Sequence, residues 1–242
     1  MKKINYSERS SFYYQETYSE IDHDFLKKVI QIYSINSVLD IPCAAGRNLG
    51  LLAKNCKNAI FCDIEKNMID QVKDRICTNN FENCKCICED IKNYSLEEKV
   101  DMTIVMRQAI QLFSPNVIGK IIENILVNTS KIVVLDLYNF EKKGVKGQIP
   151  EYLNKKFRVF KVNENRIIRL TSTRKIDEGI LVKYYYYMKR KNWSTQYKLY
   201  NLNIEYIKKI LLENNVKRII EYSDYFFNSR NKENSVIIIV EL

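Results

Sequence analysis

"VLDIPCAAGRN", Val38 to Asn48, is the stretch whose reading decides the fold. An apolar run ends in a carboxylate, Asp40. A short turn of proline, alanine and one glycine follows, and Arg47 opens a segment with helical spacing. Strand, tight turn and helix together form the arrangement in which backbone N–H groups face a ligand at a helix N-terminus. The stretch has the shape of a nucleotide-cofactor loop, but most of its glycine is gone.

Downstream of the loop, two kinds of segment alternate. "SVLDI", "AIFCDI", "CKCICEDI", "VDMTIVM" and "KIVVLDL" are short apolar runs bounded by polar turns, which predicts buried strands. Between them, 48–55, 66–79 and 115–128 carry helical patterns, the last with Val117, Ile118, Ile121, Ile122, Ile125 and Leu126 on one stripe. Repeated βα units imply a doubly wound, largely parallel sheet. Upstream, Phe25, Leu26, Val29 and Ile30 are spaced for a helix packing on that sheet, and the aromatic, polar "SSFYYQETYSE" is a candidate lid. "EKKGVKGQIP" then marks a linker, and 157–200 alternates as antiparallel hairpins. A helix capped by Asn203 and two strands, "VKRIIEYSDYFF" and "SVIIIVEL", follow. The division expected is an N-terminal lid and helix (1–35), a cofactor-binding core (36–140), an antiparallel β insertion serving as acceptor cap (141–200), and a helix and strand pair completing the core sheet (201–242).

Composition bounds the function. No apolar run is long enough to span a bilayer, and "MKKINYSERS" has no apolar segment behind its lysines, so the expected location is the cytoplasm. The seven cysteines are scattered rather than framed as a disulfide scaffold. "CKCIC" puts three sulfurs on one face of a strand, but with His23 the single histidine and no CxxC, ordinary packing is the expectation and no metal is assigned. The net charge of +10 is uneven: residues 142–218 hold 20 basic against 6 acidic side chains. That excess is either an anion-binding patch or generic lysine-rich surface.

Asp40, Asp63 and Asp90 stand at the ends of three successive strands, so all three are expected to line the crevice beyond the strands' carboxyl ends. Asp63, about 20 residues after the loop, is placed to bridge two ribose hydroxyls. Each acid also has a plainer reading, as a helix cap or a strand end.

The ordered set "VLDIPCAAGR", "FCDIEKNM", "CEDIKNYSLEEKVDMTIVMRQAIQLF" and "KIVVLDLYNF" resembles the class I S-adenosylmethionine-dependent methyltransferases over roughly residues 36–140. With the hairpin insertion before the last helix, the layout is similar to small-molecule N-methyltransferases acting on amino sugars or peptide α-amines. The resemblance implies an α/β, Rossmann-like, doubly wound seven-stranded sheet carrying an antiparallel β-hairpin insertion, with S-adenosyl-L-methionine as cofactor. It implies that Asp40 and the loop through Pro42, Ala44, Gly46 and Arg47 hold the methionine part. Asp63 would bind the ribose, Ile64 and Met68 the adenine, Asp90 the adenine amino group and Ile91 the ring, with Arg107 and Gln108 facing the sulfonium. The family loop usually reads Asp-x-Gly-x-Gly-x-Gly, and the three glycine positions here hold Pro42, Ala44 and Gly46. The substituted loop follows the family path if its first two positions sit at negative φ, with Gly46 giving the closest approach.

Methyl transfer from a sulfonium is an in-line displacement that gains most from alignment. Tyr14, Tyr18, Arg107 and Tyr138 are the catalytic candidates, beside Tyr13 and, less favoured, His23; the rival reading of the tyrosines is half-buried packing. In "YYYY", 184–187, two side chains face each way, one pair toward the core and the other toward solvent or an acceptor surface near Arg169, Arg174 or Trp193. The expected function is methylation of an amine on a small molecule or peptide by a monomer or homodimer with no membrane partner. Small-molecule O-methylation, RNA methylation and a non-catalytic scaffold are the alternatives. RNA is not favoured, because "MRQAI" stands where base-amino methyltransferases carry Asn/Asp-Pro-Pro-Tyr/Phe.

Overall fold

The computed structural model describes residues 2–138, 157–189, 191–228 and 235–242. The predicted linker at 141–150 lies outside them. Among these residues, twelve strands form two sheets, accompanied by six α-helices. In chain order they are β1 (Lys2–Lys3), α1 (Tyr6–Thr17), α2 (His23–Ile32), β2 (Ser37–Asp40), α3 (Leu49–Asn55), β3 (Asn58–Cys62), α4 (Lys66–Asn79) and β4 (Cys84–Ile87). There follow β5 (Val100–Val105), α5 (Pro115–Val127), β6 (Thr129–Tyr138), β7 (Phe157–Val162), β8 (Asn165–Ile176), β9 (Gly179–Met188) and β10 (Lys191–Tyr200). The last three are α6 (Ile204–Glu213), β11 (Arg218–Tyr222) and β12 (Ser235–Glu241).

The seven-stranded sheet runs β11-β12-β6-β5-β2-β3-β4. Strands β4, β3, β2, β5 and β6 are parallel, and β12 enters antiparallel to β6. Each predicted apolar run forms its strand because both faces are covered. Phe25, Leu26 and Val29 of α2, Leu52 of α3, and Ile69 and Val72 of α4 pack one face. Ile118, Ile121, Ile122 and Ile125 of α5 and Ile207 and Leu211 of α6 pack the other. The strand order reverses between β2 and β5, which opens a crevice beyond their carboxyl ends. "VKRIIEYSDYFF" is a strand only over Arg218–Tyr222. Beyond it Asp224 accepts from the backbone N–H of Phe226 and the side chain of Asn228, a local turn that ends the pairing.

The second sheet, order β1-β10-β9-β8-β7, is the predicted hairpin insertion with one addition. Lys2 and Lys3 pair in parallel with Trp193 and Ser194, so the chain's start closes one edge. Asn163 and Glu164 take φ of 44° and 63° in the two-residue turn joining β7 and β8, as tight hairpins require. Trp193 lies inside β10, where it stacks on Tyr186. Helix α1 is held by a capping box between Asn5 and Glu8 and lays Phe12 against Phe160, Tyr186 and Trp193. The aromatic segment is therefore a helix packed on the insertion sheet. No helix among the described residues is long and apolar enough to cross a membrane.

Candidate active site

A cavity of about 950 Å³ lies between the crevice of the large sheet and the inner face of the small one, with α1 forming one wall. It stands near the top of the ~300–1,000 Å³ range of small-molecule sites. Of the residues singled out in the sequence, Asp40, Pro42, Ala44, Arg47, Asp63, Ile64, Arg107, Tyr13 and Tyr14 line it.

The loop departs from the expected backbone. Ala44 sits at φ 47°, in the left-handed region, rather than at negative φ. The conformation is bought with hydrogen bonds: the backbone N–H of Ala44 donates to Asp63 Oδ2 at 2.8 Å, and Asp63 Oδ1 accepts from the Glu65 N–H at 2.9 Å. Gly46, at φ 68°, does not line the cavity. A Cβ there would stand 2.8 Å from both Val72 Cγ2 and Arg75 Nη2, so the glycine admits α4. Arg75 in turn donates to the carbonyls of Ala45 and Gly46 and lies 3.9 Å from the Tyr14 ring centroid, tying the loop to α1.

Asp40 is 3% exposed, and burial pushes its carboxyl up to about 7. Its Oδ2 accepts from Asn48 Nδ2 at 3.1 Å, while Asn48 Oδ1 is buried with no partner among the described residues. Asp40 and Asn48 both line the cavity, and a carboxyl group beside an amide oxygen fits an ammonium group with its three N–H donors. The residues present therefore fit the methionine end of S-adenosylmethionine. Arg47 bridges from the same loop to Asp22, its Nη2 donating to Oδ2 at 2.6 Å, and also donates to the Ser19 carbonyl.

After β5, Arg107 and Gln108 both take positive φ, 59° and 56°. Asp136 of β6 holds the turn: its Oδ2 accepts from Arg107 N–H at 2.8 Å and Tyr225 OH at 2.6 Å, its Oδ1 from Gln108 Nε2 at 2.7 Å. Two consecutive left-handed residues without glycine are strained and need this support. Gln108 is thereby drawn toward Asp136 and out of the cavity wall, contrary to expectation.

Six further residues singled out in the sequence lie, like Gly46, outside the cavity lining. Asp90 does not join the crevice: it turns the chain, accepting from Lys92 N–H and pairing with Lys92 Nζ at 3.0 Å. Ile91 is in the apolar core beneath α5, and Met68 is fully buried within α4's packing face. Tyr18 is 38% exposed with its hydroxyl on Glu20, and Tyr138 is buried in β6. The backbone of Tyr138 is clamped by Gln111, whose Nε2 also donates to the Tyr200 carbonyl and so pins the two sheets together. His23 is outside the lining; burial lowers its pKa. Of "CKCIC", Cys84 is buried, Cys86 half-buried and Cys88 exposed past the strand, and all seven cysteines are free.

The far wall adds Arg9 and Glu16, which no motif in the sequence singles out. Glu16 of α1, fully buried, receives Arg9 Nε on Oε2 and Arg9 Nη2, Arg169 Nη1 and Tyr186 OH on Oε1, at 2.8 to 3.0 Å. Burial raises its pKa, but the two guanidiniums outweigh that and hold the carboxyl below its ordinary value. Both arginines also lie over the Tyr184 ring, at 4.9 and 4.3 Å. Alternation in β9 is as predicted, Tyr184 and Tyr186 inward and Tyr187 outward, and the inward pair serves both core and cavity.

Residues 38–128 match the family model of a methyltransferase domain, and no curated protein matches the sequence. Among solved structures, an S-adenosylmethionine-dependent methyltransferase from Clostridium acetobutylicum ATCC 824 is similar at 14% identity and TM-score 0.76, over 98% of this chain and 99% of that one. The sugar N-methyltransferase KedS8 from Streptoalloteichus sp ATCC 53650 is similar at 12% identity and TM-score 0.75, over 91% and 86%. CalS10, an amino pentose methyltransferase from Micromonospora echinaspora, is similar at 10% identity and TM-score 0.75, over 100% and 99%. The domain match spans the loop and the next two segments that carry the family resemblance, which it bears out, and the shared fold bears out the α/β architecture with its seven-stranded sheet.

Proposed function

We propose that this chain is an S-adenosylmethionine-dependent methyltransferase that methylates an amine on a small molecule or peptide, a reading supported by the match of residues 38–128 to a methyltransferase domain. The observation that carries the choice of amine is the state of the carboxylates lining the cavity. Glu16 accepts from two arginines and a tyrosine, Glu8 accepts from Lys2 and the Asn5 N–H, and Asp40 and Asp63 belong to the cofactor half of the cavity. Among the described residues the acceptor half thus offers no unpaired carboxylate to take a proton from an alcohol, whereas a neutral amine attacks without a base. The similarity to a sugar N-methyltransferase and an amino pentose methyltransferase supports the same reading.

The cofactor, when bound, supplies a methyl group on a positively charged sulfur. Asp40 and Asn48 would orient its amino-acid end and Asp63 its ribose, with Ile64 covering the adenine edge. Arg107, fixed by Asp136, borders the reacting region, and Tyr13, Tyr14 and Tyr184 wall off water and hold the acceptor in line. The insertion sheet with α1 acts as the acceptor cap, and the protein works in the cytoplasm, where its free cysteines stay reduced.

A screen of amines, phenols and short peptides with methyl-labelled cofactor tests the reading. Label transfer to amines is the expected result; transfer to phenols alone would replace N- with O-methylation. Absence of calorimetric cofactor binding at millimolar concentration would leave the scaffold reading.

A further inference from the structure

Among the described residues, the cap end of the cavity carries more positive than negative charge. Arg158 of β7 and Arg169 of β8 are directly paired across the antiparallel ladder, and both line the cavity. Side chains at such positions start within ~4.5–5.5 Å of each other, and like charges there repel. The carboxylate nearest to hand, Glu16, has its oxygens occupied by Arg9, Arg169 and Tyr186. Arg158 makes no ion pair among the described residues; its Nη2 reaches only the Tyr18 carbonyl, at 3.4 Å. Arg169 is 3% exposed, yet its Nε has no hydrogen-bond partner among the described residues. An unmet buried donor costs on the order of 1–3 kcal/mol, more when charged, unless a ligand meets it. Burial first, and then the charges of Arg169 and Arg107, lower the pKa of Arg158. Arg9, Glu16 and Arg169 fasten α1 to the sheet, and Arg158 adds to that fastening only its long contact with the Tyr18 carbonyl.

We infer that the methyl acceptor carries an anionic group, a carboxylate or a phosphate, which binds between Arg158 and Arg169. The inference rests on the methyltransferase reading and extends it to the acceptor's chemistry. Guanidinium forks match the oxygens of either anion in pairs, which fixes orientation as well as affinity. The acceptor is then held at both ends of one cavity, its anion under the cap and its amine toward the cofactor half.

Trp193, the single tryptophan, stacks on Tyr186 at 5.8 Å between ring centroids, and Tyr186 bonds Glu16, so its emission reports on this wall. The full-length protein is titrated with inorganic phosphate and, separately, acetate at constant ionic strength, while cofactor affinity is followed by calorimetry. Saturable binding with a dissociation constant on the order of millimolar is expected. It should weaken at least fivefold in Arg158→Gln and less in Arg158→Lys, with cofactor affinity unchanged in both. Tighter phosphate binding assigns a phosphoryl group to the acceptor, and tighter acetate binding a carboxylate. No saturation by either anion, or an Arg158→Gln protein that titrates as wild type, overturns the inference. Loss of cofactor binding in the wild-type protein would strike the methyltransferase reading instead, and leaves the anion titration to be judged alone.

Discussion

Asp40 shows how a single carboxylate couples the cofactor to proton binding. Held up to about 7 by burial, it keeps its proton when folded at pH values where an unfolded aspartate, near ~3.9, has lost it. Between about pH 4 and 7 the folded state therefore binds the extra proton, and stability falls as pH rises through that window. Asp40→Asn should remove this slope, at most about 1.4 kcal/mol per pH unit, in urea unfolding curves of the cofactor-free protein. An ammonium beside Asp40 favours its ionised form, so cofactor binding at pH 6 should release a proton, visible as a buffer-dependent calorimetric enthalpy. Asp63→Ala removes the acceptor for Ala44 N–H as well as a ribose ligand, so cofactor affinity should fall at least tenfold; unchanged affinity would take Asp63 out of the site. At this scale the sequence was half legible. Asp40, Asp63 and Ala44 stood in a recognisable order, but Asn48, Asp136 and Glu16 acquire meaning only from partners far along the chain. Gly46 was legible as necessary and misleading as to why, because periodicity cannot tell which side of a turn a helix will crowd.

Helix α1 is the element least readable in advance and the most consequential. Its polar-aromatic sequence has no clean amphipathic period, since the face it buries is itself mixed: Phe12 on the sheet, Arg9 and Glu16 in an ion cluster. The βα elements, by contrast, announce themselves through uninterrupted apolar runs that both faces of the sheet demand. Glu16→Ala leaves two buried guanidiniums without a counter-charge and should cost about 3–5 kcal/mol in chemical denaturation, as broken buried pairs do. If the helix merely rests on the surface, the loss would stay below about 1 kcal/mol, as for exposed pairs.

Taken whole, the described residues form a seven-stranded and a five-stranded sheet facing one cavity, pinned together at Gln111. Ligands that bind only the folded protein stabilise it by mass action, about 2.7 kcal/mol at a hundredfold excess over Kd. For a chain of this size that should raise the melting temperature by roughly 5–10 °C with S-adenosylmethionine, in a concentration-dependent way. The uneven charge finds part of its explanation here: some of the basic excess in 142–218 faces inward as Arg158 and Arg169 rather than outward toward nucleic acid.

The Glu16–Arg169 contact spans 153 positions, and Lys2–Lys3 pair with strand residues further away still. The face of α1 that carries Glu16 accordingly has no sheet to settle on until β8 and β9 have been synthesised, and closing so long a loop is entropically slow. The large sheet's first five strands, nearer neighbours in the chain, need not wait. Refolding should therefore restore far-ultraviolet dichroism before Trp193 emission. A newly made molecule would thus acquire its hold on the cofactor before it acquires any preference among acceptors.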